Sequence, residues 1–247
     1  MNATQHWANQ LKLLWHLFLA PIRGDTHEAR LESFYQGQAD GYDRSRSRLL
    51  HGRRELIGSL DPPGGGVWVD MGAGTGQNAE FLSGGIDQLS SVYLVDLSSS
   101  LLAVAQRRSN ANRWANVHVV RSDVTQFSLP AESVDLVTFS YSLTMIPDWF
   151  VAIERAWEML RPGGTIGVVD FYVSRKFPGE SFARHRWSTR VFWQNWFALD
   201  NVALSPDHMP MLCRKFGMMR LDERRGRAPW LPFLRLPYYI FIGKKRG

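Results

Sequence analysis

The stretch Val67-Trp68-Val69-Asp70-Met71-Gly72-Ala73-Gly74-Thr75-Gly76-Gln77-Asn78 constrains this chain more than any other. An apolar run ends in an acid and is followed at once by three glycines at alternate positions. Glycine tolerates positive φ and admits a ligand to the backbone where a Cβ would block it. The pattern predicts a strand, a tight turn and a helix beginning near Gln77, with an adenosine-containing cofactor lying across the strand's carboxyl end. A dinucleotide pattern also fits, over Gly74-Thr75-Gly76-Gln77-Asn78-Ala79, so the glycines alone leave the cofactor open. Asp70 narrows the choice. At the strand tip an acid repels a dinucleotide phosphate and suits a cationic amino group, reached through water or backbone.

A chain of 247 residues makes one fairly large domain, or one with an appended subdomain. Its single cysteine, Cys213, excludes an internal disulfide and suits a reducing compartment. Charge is unevenly placed. Residues 1–170 carry 14 basic and 18 acidic side chains, whereas residues 171–247 carry 15 basic, 5 acidic and 15 of the 31 aromatic rings. A basic, aromatic-rich last third points to nucleic acid or to an anionic membrane surface. The basic residues there follow no regular spacing and no nucleic-acid motif accompanies them, so a membrane surface is the expected partner and nucleic acid is not.

Near the start, Trp7, Leu11, Leu14, Trp15 and Phe18 fall at helical spacing. This apolar run is too short to cross a bilayer, and no cleavage signature follows it. Two readings stand side by side: a helix packed on the core, or one lying in a membrane interface. Residues 26–59 read as a largely helical stretch, whose Arg44, Arg46 and Arg48 are expected to be mostly solvated. Residues 1–60 are thus read as an N-terminal helical segment and cofactor cover, ahead of a main domain over residues 61–247.

After Pro62-Pro63-Gly64-Gly65-Gly66, apolar strands alternate with helices: strands over 67–70, 91–96, 117–120, 134–139 and 165–170, helices over 98–113 and 148–160. Such alternation predicts an α/β domain with a parallel sheet covered on both faces. Asp96 ends the second strand, where an acid accepts from both ribose hydroxyls, and Asp123 follows the third, where an acid commonly accepts from the adenine amino group. Strand candidates over 218–224 and 238–244 would supply an antiparallel edge. Between them and the fifth strand lies an insertion, residues 171–214, expected to roof the acceptor site.

The spacing Asp70-x-Gly72-x-Gly74-x-Gly76, followed in order by Asp96, Asp123 and Arg161-Pro162-Gly163-Gly164, resembles the class I S-adenosylmethionine-dependent methyltransferases. That resemblance implies a Rossmann-like, seven-stranded sheet with helices on both faces. A narrower likeness rests on motifs outside the cofactor fold. These are Phe34-Tyr35-Gln36-Gly37-Gln38-Ala39 with Tyr42-Asp43, Tyr141-Ser142-Leu143-Thr144-Met145-Ile146-Pro147, Asp207-His208 after Leu204-Ser205-Pro206, and Leu236-Pro237-Tyr238-Tyr239-Ile240-Phe241-Ile242-Gly243. Together with Pro21-Ile22-Arg23-Gly24-Asp25-Thr26-His27 they look like the methyltransferase of betaine-lipid synthesis, over nearly the whole chain. That family adds three methyl groups to the amine of diacylglyceryl-homoserine.

The resemblance implies S-adenosylmethionine as cofactor and no metal. It carries cofactor contacts to Tyr42, Arg46, Asp70, Gly72, Ala73, Gly74, Gly76, Asp96, Leu97, Asp123, Val124 and Ser140, with Tyr42 and Arg46 reaching the methionine carboxylate. It implies a cytoplasmic, peripherally membrane-associated enzyme and a functional partner that attaches the homoserine headgroup, an activity not visible in this sequence. Transfer from sulfonium to nitrogen is an in-line displacement that draws much of its rate from alignment. Aromatic faces attract the cation that results, and Tyr141, Tyr172, Trp149, Trp187, Trp193 and Trp196 are the available rings. Tyr141 is expected near the transferring methyl, with His185, Asp207 and His208 of the insertion handling the proton, or water in their place. A quinone or a phosphatidylethanolamine headgroup stands as the alternative acceptor.

Overall fold

In the computed structural model the described residues are 25–35, 42–46, 49–198, 202–228 and 231–247. The apolar run at residues 7–22 lies outside them, as do Arg48 and residues 36–39. Among the described residues three short helices come first, α1 (His27–Tyr35), α2 (Tyr42–Arg46) and α3 (Arg53–Gly58), where one largely helical stretch was expected. Then follow β1 (Val67–Met71), β2 (Ser91–Asp96), α4 (Ser99–Asn112), β3 (Val117–Arg121), β4 (Val134–Ser140), α5 (Trp149–Met159) and β5 (Leu160–Phe171). The helices α6 (Trp187–Ala198) and α7 (His208–Lys215) lead into the hairpin of β6 (Phe216–Ala228) and β7 (Leu231–Lys245).

The strands form one seven-stranded sheet in the order β3-β2-β1-β4-β5-β7-β6. Neighbours from β3 to β5 pair in parallel, and β7 runs antiparallel to both β5 and β6. This is the α/β architecture expected of the alternating apolar segments. Every residue of β4 is buried, as a central parallel strand covered on both faces requires. In β1 the two-residue period divides the core. Trp68 packs with Leu56, Leu60 and Leu136 on the side of α3, while Val69 and Met71 pack with Ile153 and Ala156 of α5. Helix α4 begins where the Ser98 hydroxyl accepts from the Leu101 amide at 3.3 Å, and ends at Arg113 in the left-handed region.

Some boundaries differ from the sequence expectation. Instead of a helix from Gln77 there is a single 3₁₀ turn, Gln77–Glu80. Gly84 and Gly85 both take positive φ soon afterwards and turn the chain back toward β2, leaving no room for a longer helix. Strand β5 begins at Leu160, before the Pro-Gly-Gly turn, because Leu160 already pairs with Val134 across an irregularity in register. No described helix is long and apolar enough to cross a membrane.

Candidate active site

The carboxyl ends of β1, β2 and β4 meet at a cavity of about 200 Å³, where strand order reverses and open α/β sheets bind their ligands. Its floor is Gly72, Ala73 and Gly74 after β1, and its walls begin with Asp96 and Leu97 at the end of β2. Asp123 and Val124 after β3 and Ser140 to Ser142 after β4 form the walls. Leu31 and Tyr35 of α1, Tyr42 of α2 and Arg53 of α3 close it from above.

The floor is shaped by glycine. Gly72 has φ +80°, and a Cβ there would lie 2.3 Å from the Cβ of Ser142, whose hydroxyl donates to the Met71 carbonyl at 2.8 Å. Gly76 does not line the cavity. A Cβ on it would meet Leu94 Cδ1 at 2.8 Å and Ala105 Cβ at 3.2 Å, so it serves the close packing of α4 on β2.

Asp70 is likewise behind the floor, not in it. The carboxylate is fully buried and accepts from Asn78 Nδ2 at 2.8 Å and from the Thr138 hydroxyl at 2.6 Å. Burial pushes its carboxyl up from the ordinary range, against the pull of those two bonds. Its acid thus ties the glycine turn to β4 and holds no ligand group directly. Arg53 completes the lattice, with Nε donating to Asn78 Oδ1 at 2.6 Å and Nη1 to Gln77 Oε1 at 3.2 Å.

Asp96 stands in the cavity wall. Its Oδ2 accepts from the Gly74 amide at 2.8 Å and its Oδ1 from the Ser98 amide at 2.9 Å. Burial raises its carboxyl, with those amides opposing. Asp123 accepts from the amide and the hydroxyl of Thr125, both at 2.8 Å. The Ser140 hydroxyl is buried in the wall with no hydrogen-bond partner among the described residues. A carboxylate at the end of β2, an unsatisfied hydroxyl and the apolar Leu97, Leu101 and Val124 fit the ribose and base of S-adenosylmethionine. The cover is pinned over them. Glu32 of α1 accepts from the Ser98 hydroxyl at 3.0 Å, and Asp43 of α2 accepts from the Thr75 hydroxyl at 2.7 Å.

A smaller annex adjoins this cavity, sharing Tyr35, Tyr42, Leu50, Tyr141 and Met145 with it. Arg46, Leu49, Thr144, Phe171, Phe197 and Val202 line the rest. Arg46, expected on the cofactor, is therefore in the annex, while Arg53 takes the place beside the glycine turn. Tyr141 has φ +57°, unusual for a bulky residue, and its hydroxyl donates to the His51 carbonyl. Its ring packs on Phe171 at 4.4 Å, and Phe171 packs on Phe197 at 5.1 Å. Behind this wall Asp170 accepts from the Thr144 hydroxyl and the Phe171 amide, each at 2.8 Å, and burial pushes its carboxyl up to about 7.

From the insertion, Phe197 and Val202 line the annex, and its histidines do not. His208 is fully buried at the start of α7, edge-on to Trp149 at 4.7 Å, and neither ring nitrogen has a hydrogen-bond partner among the described residues. Burial lowers its pKa to about 3, with Asp207 opposing. Asp207 faces away, its Oδ1 2.6 Å from Arg175. His185 is buried against Tyr172, its Nδ1 accepting from the Ser174 amide at 3.1 Å, and burial with nearby Arg225 and Arg190 lowers it to about 4. None of the three lines the cavity or the annex. Helical periodicity could not reveal this, because α7 turns its apolar stripe, His208 included, toward α5 and β7. Of the six candidate rings only Tyr141 lines either space. Among the described residues no group of three His, Cys, Asp or Glu could hold a metal ion.

The family model described as a methyltransferase domain matches residues 69–168, from β1 into β5. Residues 69–168 are a methyltransferase domain. The chain is similar to the demethylmenaquinone methyltransferase of Geobacillus kaustophilus, 25% identical over 142 residues, covering 56% of this chain and 61% of that one. It spans about three fifths of the length of the curated relatives it matches. Among solved structures, the phosphoethanolamine N-methyltransferase 2 of Haemonchus contortus in complex with S-adenosyl-L-methionine superposes with a TM-score of 0.66. The identity is 16%, over 92% of this chain and 61% of that one. A SAM-dependent methyltransferase of Aquifex aeolicus superposes with a TM-score of 0.57 at 15% identity, over 83% and 97% of the two chains. These likenesses show the class I methyltransferase fold.

Around this methyltransferase domain the sequence reading missed Arg53, Leu50, Thr144 and Phe197 as site residues. Arg53 carries no local signal, since its partners Gln77 and Asn78 lie 24 and 25 residues away. Thr144 was within reach: it sits in the same Tyr141–Pro147 motif that carries the family resemblance.

Proposed function

We propose that this protein trimethylates the homoserine amine of diacylglyceryl-homoserine, using S-adenosylmethionine, to form a betaine-lipid headgroup. The observation that carries the reading is the annex. It joins the rings of Tyr35, Tyr42 and Tyr141 to a single charged lining residue among the described ones, Arg46. Aromatic faces suit an amine that ends as a permanent cation, each contributing roughly 0.5–2 kcal/mol. A guanidinium suits a carboxylate, and homoserine offers one.

S-adenosylmethionine supplies a methyl on a sulfonium, so that an S–C bond breaks as an N–C bond forms, and each round needs the acceptor ammonium to lose a proton first. The chain's own groups bind and align. Asp96 accepts from the ribose hydroxyls, Asp123 from the adenine amino group, and Arg53 holds the methionine carboxylate beside Gly72 and Gly74. Tyr141 fixes the annex wall against which the acceptor nitrogen rests. Water takes the proton released in each round. The protein works at a membrane surface, beside an enzyme that attaches the homoserine headgroup.

A second reading is methylation of a quinone, favoured by the name of the matched relatives. Purified protein given S-adenosylmethionine with either diacylglyceryl-homoserine or demethylmenaquinone distinguishes the two by mass spectrometry of the lipid. Mono-, di- and trimethylated homoserine lipid is the expected result; a methylated quinone alone overturns it. Arg46→Met should raise KM for the homoserine lipid about tenfold or more, the loss of one charged hydrogen bond, and leave cofactor affinity unchanged.

A further inference from the structure

Helix α6 is two-faced. Trp193 and Phe197 are buried, Phe197 in the annex wall and Trp193 with its Nε1 donating to the Arg235 carbonyl at 3.1 Å. The outward side carries Trp187 and Val191, with Trp187 72% exposed, and beside them the half-exposed Phe192, whose ring packs on Trp193 at 4.9 Å. In the loop before it Phe177 is 74% exposed, with Lys176 and Arg184 5.3 and 5.8 Å from its ring centre. Four large apolar side chains turned to solvent on one segment are not the ordinary scatter of surface hydrophobes.

Their charge setting is one-sided. Residues 171–198 hold five basic side chains, Arg175, Lys176, Arg184, Arg186 and Arg190, against one acid, Glu180. Arg175 is paired with Asp207, while Lys176, Arg184 and Arg186 are exposed around the aromatic face. Aromatic tips within a cationic collar are the composition of an element lying in a headgroup layer, where rings insert shallowly and cations meet anionic lipid.

We infer that the outward face of α6, with Phe177 beside it, is the surface on which this protein docks to an anionic bilayer. Continuity with the annex supports the assignment. The same helix that meets the lipid outside lines the annex inside with Phe197, so a headgroup at the bilayer surface is one helix thickness from the transfer site. The inference takes the lipid nature of the acceptor from the proposed function, but docking is measurable without turnover.

The test is sedimentation of the full chain with vesicles of equal parts phosphatidylglycerol and phosphatidylcholine. Trp187→Ser combined with Phe177→Ser should weaken binding about tenfold or more, the loss of two apolar contacts, with cofactor affinity and melting temperature unchanged. Arg184→Glu combined with Arg186→Glu should abolish the preference for anionic over pure phosphatidylcholine vesicles. A polarity-sensitive dye on Val191→Cys in a Cys213→Ser background should shift blue on adding vesicles. Unchanged sedimentation of the aromatic variant, or no dye shift while the protein is bound, overturns the assignment and moves docking elsewhere in the chain. Concentration-dependent self-association that the aromatic variant abolishes, without lipid binding by the parent, makes the face a protein contact and also overturns it. Vesicle binding through this face by a protein that methylates no homoserine lipid leaves the docking surface standing and removes the proposed function alone.

Discussion

Gly72 and Ser142 approach so closely that a Cβ on the glycine would lie 2.3 Å from the serine's Cβ. The contact joins the turn after β1 to the turn after β4, and the cavity floor depends on it. Gly72→Ala meets both this overlap and a φ of +80°, and should cost about 1–3 kcal/mol by denaturant unfolding. Adding Ser142→Gly should recover part of that loss. A double variant no more stable than the single would show that backbone strain, and not the contact, sets the cost.

Asp96 bridges the Gly74 and Ser98 amides across the cavity wall. Asp96→Ala should weaken S-adenosylmethionine binding at least about tenfold, since charged hydrogen bonds contribute about 1.5–3 kcal/mol each. Calorimetry on the folded variant decides it. Unchanged affinity would take Asp96 out of the site.

His208 supplies a prediction of opposite sense. With both ring nitrogens buried and unpartnered among the described residues, His208→Leu should equal or exceed the parent in stability at neutral pH and retain methyl transfer. The pH dependence follows from its pKa of about 3, against an ordinary 6.5. Below 6.5 the unfolded chain takes a proton that the folded one refuses, so stability falls with pH until about 3. Asp170 has the reverse slope. Raised from 3.8 to about 7, it contributes stability fully present below 3.8 and lost as pH rises through about 7. The difference between variant and parent at each pH isolates the histidine, and should widen on acidification from 6.5. A variant as acid-labile as the parent, or inactive with cofactor still bound, would contradict the structural placement.

Tyr141 holds its strained backbone at φ +57° and donates its hydroxyl to the His51 carbonyl. Tyr141→Phe keeps the ring on Phe171 but frees it to shift. We expect about 1 kcal/mol of lost stability and a several-fold lower kcat, with cofactor affinity intact. Partly methylated lipid should accumulate. Normal turnover to the trimethyl product would place the acceptor elsewhere.

Local chemistry by itself determined the parts of this protein whose reasons lie within a few residues. The apolar strands, the glycine turn and the acid at the end of β2 are readable because period, positive φ and strand-end position are local properties. The sheet as a whole belongs with them, since alternating strands and helices allow few arrangements. Only the tertiary structure decided which of several similar residues reach the site. Asp70 and Asp96 both sit at the carboxyl ends of neighbouring strands, yet one is consumed by Asn78 and Thr138 and the other faces the cavity. Arg53 takes the place beside the glycine turn that the family resemblance gave to Arg46, because α2 folds over the annex while α3 abuts that turn. His208 and Phe197 are neighbours in one insertion, but α7 carries the histidine into the core under β7 and α6 carries the phenylalanine to the annex. Those choices rest on which sheet face each helix covers, a matter of long-range packing that no local spacing records.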